Sequence, residues 1–352
     1  MKTRHRFIMM AAISALIFSS CFDSAILVAG LKTPEEYAQR PSADKDMDAV
    51  DGVGSLARFT YIQDIAVDSQ DNVYVADLSS QNKKTSEAIF RKISADGTVT
   101  TLKNSSFSAP SPSLPVPNQR LFKDTYLYIQ SSIMAIKDEV LYIGSTDCIY
   151  RVDLRQPFEK QIIQSYWGSC QSGEQNQSLE NHPETAKERI TIKSNLTLTH
   201  DDTLYAVAES SRVGNFIFKL SPNQTQVEKT TFNGSLAKTF GFSHDHRLFI
   251  GYFDPPVGPP PMGKGKLYTE IRDSKGSSEV DYFFNHMVFD KQNRLYTYKN
   301  SEIVRYDSDW KPKWIGRLYS NSRVQRMVLN PSETALFLAS ETAVYRVPLP
   351  KD

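Results

Sequence analysis

Short apolar runs broken by polar turn residues recur along the chain. Ile65 to Val67 and Val73 to Val75 are β-branched runs separated by Asp68-Ser69-Gln70-Asp71-Asn72, the pattern of a hairpin with a short turn. Ile89 to Ile93 and Thr98 to Leu102 form a second hairpin around Ala95-Asp96-Gly97, where Gly97 supplies the positive φ such a turn needs. Four antiparallel strands in about fifty residues make one propeller blade.

The inner hairpin recurs. Ile133 to Ile136 precedes Leu141 to Gly144, Leu196 to Thr199 precedes Leu204 to Val207, and Phe240 to Ser243 precedes Leu248 to Gly251. Met287 to Asp290 precedes Leu295 to Tyr298, and Met327 to Asn330 precedes Leu336 to Ala339. One aromatic holds a fixed place in every copy: Tyr74, Tyr142, Tyr205, Phe249, Tyr296 and Phe337. The later copies lie about 40–50 residues apart, the period of a propeller blade. The first two intervals are longer and carry insertions.

Asp51-Gly52-Val53-Gly54-Ser55-Leu56-Ala57-Arg58-Phe59, with the two hairpins after it through Leu102, resembles the NHL repeat. That resemblance implies an all-β, six-bladed β-propeller of four-stranded antiparallel blades. The last copy runs out of chain after Val344-Tyr345-Arg346-Val347 and lacks an outer strand. Ala25-Ile26-Leu27-Val28-Ala29-Gly30 is similar to the close of an NHL unit. Residues 25–30 are therefore expected to complete the last blade and remove its open edge.

The chain has 352 residues, read as a signal peptide over 1–20 and a single propeller domain over 21–352. Its formal net charge of +1 gives no electrostatic case for nucleic acid. Lys2, Arg4 and Arg6 precede an apolar run from Phe7 to Phe18, as in an export signal. Ser19-Ser20-Cys21 resembles the lipobox of bacterial lipoproteins, with Phe18 where leucine is usual. The resemblance implies lipidation at Cys21, attachment to a membrane through that anchor alone, and a cell-envelope location. By the same resemblance, Phe22 after the cysteine, where aspartate would resemble an inner-membrane retention signal, implies the outer membrane. An ordinary signal peptide cut near Ser20 or Ala25 is one alternative, and an uncleaved helix from Phe7 to Gly30 another. Asp23 argues against the helix. In an oxidising compartment Cys148 and Cys170, on neighbouring strands, are a candidate disulfide, with two free thiols as the alternative.

Strands of a blade alternate in direction, so the loops separate onto two faces. The turns between first and second and between third and fourth strands are short. The long insertions, Leu78 to Glu87, Asn104 to Thr125, Gln171 to Arg189 and Phe253 to Lys266, all fall on the opposite face, as binding loops on a rigid scaffold do. Two of them are proline-rich and read as stiff lids or as plain spacers. The first-strand starts Asp64, Ser132, Asn195, Thr239, His286 and Arg326 line the channel mouth on this face, a polar ring that either holds a small ligand or is filled with water. If it binds ligand, Arg326→Ala is expected to abolish binding with the melting temperature nearly unchanged.

Histidines and cysteines show no metal-ligand spacing, and no cofactor is expected. His244 and His246 flank Asp245 in a short turn and read as solvated. The reading is an exported module that binds a protein, peptide or glycan through its long-loop face without catalysis. Its alternative is a metal-dependent hydrolase similar to propeller lactonases, with its site at the channel mouth; there Asp64 is the one ring carboxylate, thin for a hard cation.

Overall fold

Runs of four to seven residues rich in Val, Ile and aromatics, punctuated by Asp, Asn and Gly, leave the backbone one way to satisfy its hydrogen bonds, which is to pair antiparallel with its neighbours. The structure, a computed structural model, describes residues 25–31, 49–78, 88–102, 120–121, 133–145, 148–168, 190–199, 201–210, 214–222, 228–231, 237–244, 247–252, 266–269, 277–278, 286–299, 301–318 and 323–351. Among them no helix is long and apolar enough to cross a membrane.

Chain order begins with Ile26–Gly30 (β1). Sheet 1 holds Gly52–Val53 (β2), Ile62–Val67 (β3), Val73–Leu78 (β4), Ala88–Ile93 (β5) and Thr98–Thr101 (β6), in the order β2-β6-β5-β4-β3. Sheet 2 holds Arg120–Leu121 (β7), Ile133–Lys137 (β8), Val140–Ser145 (β9), Cys148–Asp153 (β10) and Ile162–Gly168 (β11), in the order β7-β11-β10-β9-β8. Sheet 3 is a four-strand meander of Ile190–Leu198 (β12), Leu204–Ser210 (β13), Gly214–Leu220 (β14) and Glu228–Thr231 (β15). Sheet 4 repeats it with Ala237–Phe242 (β16), Leu248–Tyr252 (β17), Lys266–Thr269 (β18) and Ser277–Ser278 (β19). Sheet 5 does so with His286–Phe289 (β20), Leu295–Lys299 (β21), Glu302–Tyr306 (β22) and Pro312–Arg317 (β23). Sheet 6 joins Val324–Leu329 (β24), Ala335–Ser340 (β25) and Ala343–Pro348 (β26) to β1, which pairs antiparallel with β26 through Ile26↔Arg346 and Gly30↔Ala343. Four-stranded blades were expected throughout; sheets 1 and 2 each carry a short fifth strand, β2 and β7, on the outer edge.

The sheets pack face to face in chain order, and the last packs on the first. One apolar cluster joins Tyr74 and Phe90 of sheet 1 to Met134 and Ile143 of sheet 2, and the next joins Ile149 and Trp167 to Phe216 and Phe218 of sheet 3. Ile217 meets Phe240, Phe249 meets Met287, Tyr296 meets Leu338, and Phe337 returns to Ile65 and Val75. This cyclic order is a propeller arrangement of antiparallel blades around a central axis. The repeated aromatic has a physical role in it: each of the six lies in the seam between its own sheet and the next one round the ring.

The start of sheet 1 is tied down from outside. Arg91 is fully buried, with its guanidinium 4.6 Å above the Phe59 ring. It donates to the Val50 carbonyl at 2.5 Å, to Asp51 at 2.9 Å and to the Arg58 carbonyl, and faces Asp77 at 3.4 Å. Asp77 in turn accepts the Thr60 and Tyr61 amides. The strap over 50–61 is thus held by one buried cation and two carboxylates.

Candidate functional site

The inner strands β3, β16 and β24 each break register near their first residues, between Ile62 and Asp64, Ala237 and Thr239, and Val324 and Arg326, and β12 does so in its middle, around Ser194. A bulge re-aims the side chain that follows it, and bulges concentrate at barrel rims for that reason. Asp64 and Arg326 follow such bulges and meet near the axis, where Arg326 Nε lies 3.1 Å from Asp64 Oδ1. Oδ1 also accepts the Ile65 amide at 2.8 Å, and Oδ2 accepts the Met134 amide of β8 at 2.7 Å. A second guanidinium nitrogen of Arg326 donates to the Leu196 carbonyl of β12 at 3.2 Å. One ion pair therefore stitches together the inner strands of sheets 6, 1, 2 and 3.

This arrangement decides the electrostatics. Asp64 is 2 % exposed. Burial pushes its carboxyl above the ordinary aspartate range, while Arg326 and the two amides pull the other way. His286 opens β20, and its Nε2 donates to the Val324 carbonyl at 2.9 Å, since a carbonyl only accepts. Burial lowers His286 to about 4, and the nearby charge of Arg326 adds to the effect. It is neutral at pH 7. Asn195 and Thr239 lie in β12 and β16, with side chains outside the described residues, as is Ser132. Of the six ring positions the structure thus joins Asp64 and Arg326 directly and sets His286 against the same strand as Arg326. Because Arg326 neutralises a buried carboxylate, Arg326→Ala is expected to cost stability, which revises the expectation of an unchanged melting temperature.

Beyond the ion pair, toward the short turns, lies a central cavity of about 350 Å³. All six inner strands line it. Arg326 is at one end; Val67, Ile136, Leu198, Phe242, Phe289 and Val328 form apolar walls. Ser243, His244, Asp290, Lys291 and Glu333, at the turns that follow the inner strands, form the rim. The cavity opens on the face of the turns between first and second strands of the sheets. His244, read from sequence as a solvated turn residue, is an exposed rim residue of this cavity.

The rim is rigid for a reason that recurs. In sheet 1 Asp68 accepts the amides of Gln70 and Asn72, and in sheet 5 Asp290 accepts those of Gln292 and Arg294. Asn330 does the same for Thr334 and Ala335 in sheet 6. Each turn passes through one left-handed residue, Asp71, Asn293 or Glu333. Asp290 also accepts the Tyr296 hydroxyl at 3.1 Å and the Arg294 side chain at 2.6 Å. Neighbouring turns are bonded to each other. Ser69 donates to Glu139, Lys137 Nζ to the Thr199 carbonyl, the Lys291 amide to Glu333, and Asn330 to Asp71. These fixed polar side chains are the signal that the sequence reading missed. The marker was visible as an Asp, Thr, Ser or Asn closing five of the six apolar runs, at Asp68, Thr199, Ser243, Asp290 and Asn330.

Cys148 is disulfide-bonded; Cys170, its expected partner, lies outside the described residues, as do Cys21 and the long insertions. Among the described residues no group of three or more His, Cys, Asp or Glu is placed to hold a metal ion.

No protein-family model matches the chain, and no curated protein matches it in sequence. Solved structures do. A gluconolactonase from Xanthomonas campestris is similar at 13 % identity and a TM-score of 0.53, covering 83 % of this chain and 87 % of its own. A protein of unknown function from Bacteroides thetaiotaomicron is similar at 13 % identity and a TM-score of 0.53, covering 93 % of this chain and 76 % of its own. At this identity the likeness is one of fold.

Proposed function

We propose that the chain is an exported, lipid-anchored, six-bladed propeller of the NHL type, each sheet being one blade, and that it binds a protein, peptide or glycan through its long-loop face without catalysis. The export signal, Cys21 and the NHL-like unit over 51–102 support the first part. One observation carries the second: the ring carboxylate, Asp64, is already engaged by Arg326 and two backbone amides, so the central polar residues serve to hold blades together. The four long insertions, which the strand order expects on one face of the ring, are then the variable surface.

The second reading is a lactonase-like hydrolase at the channel mouth, favoured by the fold shared with the Xanthomonas campestris gluconolactonase. One pair of variants separates the two. Replacing residues 171–189 by a short Gly-Ser linker is expected to abolish capture of the partner from an envelope extract of the native host, while Asp64→Asn lowers the melting temperature but leaves capture intact. Lactone hydrolysis by the purified chain, lost in Asp64→Asn at a temperature where that variant is folded, would establish the hydrolase instead.

A further inference from the structure

The axial cavity is not absorbed by either reading, because it opens on the short-turn face. Its volume of about 350 Å³ sits at the lower end of small-molecule sites, which span roughly 300–1,000 Å³. At about 30 Å³ per water-sized unit it accommodates about a dozen. Its chemistry is asymmetric along the axis. The walls combine aliphatic and aromatic side chains with polar groups such as Thr197 and Thr199, and a guanidinium, Arg326, lines the inner end. The carboxylate partner of that guanidinium, Asp64, does not line the cavity and is 2 % exposed, so a ligand meets the cation first. The charged groups at the rim are Lys291, Asp290 and Glu333, with His244 beside them. Asp290 is committed to Arg294, Tyr296 and two turn amides, and Glu333 accepts the Lys291 amide. Bonds between turns hold the rim open without a ligand, so little ordering entropy is lost on binding.

We propose that this cavity binds a small amphipathic anion, an apolar body of about a dozen heavy atoms carrying one carboxylate, with the carboxylate against Arg326 and the body along the walls formed by Val67, Ile136, Leu198 and Phe289. The guanidinium edge lines the cavity while its Asp64 partner lies behind it, so the sign preference comes from the orientation of the ion pair, and apolar burial adds affinity.

The experiment is calorimetric titration of the full protein with decanoate and with decylamine, matched in chain length and opposite in charge. One decanoate per chain is expected, with decylamine at least tenfold weaker. Thr197 is half-buried on the cavity wall, and Thr197→Phe, which fills the space, is expected to remove decanoate binding. Equal binding of the two probes, binding unchanged in Thr197→Phe, or no binding of decanoate would overturn the proposal. Should Thr197→Phe not fold, decanoate carrying a terminal diazirine is photolysed on the unaltered protein. Crosslinks within 134–136, 196–199 or 287–291 are expected, and labelling confined elsewhere defeats the assignment. Partner capture by the long-loop face plays no part in these readouts, so this site and that face can fail separately.

Discussion

Asp64 and Arg326 sit where a ring of ligand-binding groups was expected, and their geometry gives them a different first duty. A buried ion pair adds little net stability over apolar replacements, but losing one partner strands the other charge. Arg326→Met and Asp64→Asn are each expected to destabilise by about 3–5 kcal/mol. The double variant is expected to lose much less than the sum, in a double-mutant cycle followed by chemical denaturation. Strict additivity would mean that the two side chains act independently. Two other buried groups set opposite pH trends. His286, lowered from 6.5 to about 4, contributes stability that is complete above pH 6.5 and is lost as pH falls from there to about 4. Asp77 is raised by burial from 3.8 to about 6, against the pull of the Tyr61 amide and Arg91. Its contribution is fully present below pH 3.8 and is lost as pH rises through 6. Between pH 6.5 and 4, His286→Gln is therefore expected to flatten the fall in stability on acidification, and Asp77→Asn to steepen it, read as melting temperature against pH. Identical slopes in all three proteins would remove both assignments.

Among the elements, β1 bears the most on closure. Ala25 and Ala29 are buried in clusters that otherwise belong to sheets 5, 6 and 1, and Gly30, at φ 95°, approaches the Thr342 carbonyl so closely that a Cβ would stand 2.2 Å from it. A chain starting at residue 32 leaves the β26 edge bare, whereas one starting at residue 25 keeps it paired. The shorter chain is expected to be less stable by about 3–5 kcal/mol, at roughly 1 kcal/mol for each ladder hydrogen bond lost, and to precipitate as concentration rises. Equal melting curves for the two would show β1 to be dispensable. The inner hairpins were legible because apolar runs and turn residues alternate there without interruption, as in Ile65 to Val75. The bulges at Gln63 and Gln325 were not: Ile62 and Ile65, like Val324 and Met327, lie three apart, and that break in the two-residue period also reads as a strand that begins later. The short fifth strands were hidden for another reason: Gly52–Val53 and Arg120–Leu121 are too brief to show any period.

For the whole molecule, the aromatic repeat announced a propeller arrangement, since each seam between neighbouring sheets needs a filler. The site was less legible. Sequence order shows which residues begin inner strands, but whether a charge at that level faces solvent or a partner depends on what crosses the axis. Arg326 reaches Leu196 and Asp64 from the far side of the chain, and local patterning carries no trace of such a contact. The same limit hid the cavity, whose walls come from six separated segments, each of which reads alone as ordinary core. The pairing of β1 with β26 also orders events in time. β1 is made long before its partner, so a growing chain holds β1 unpaired until β26 has been synthesised. The contact that closes the ring also spans the largest sequence separation among the described strand pairs, so it is expected to form late and to slow folding relative to the local hairpins.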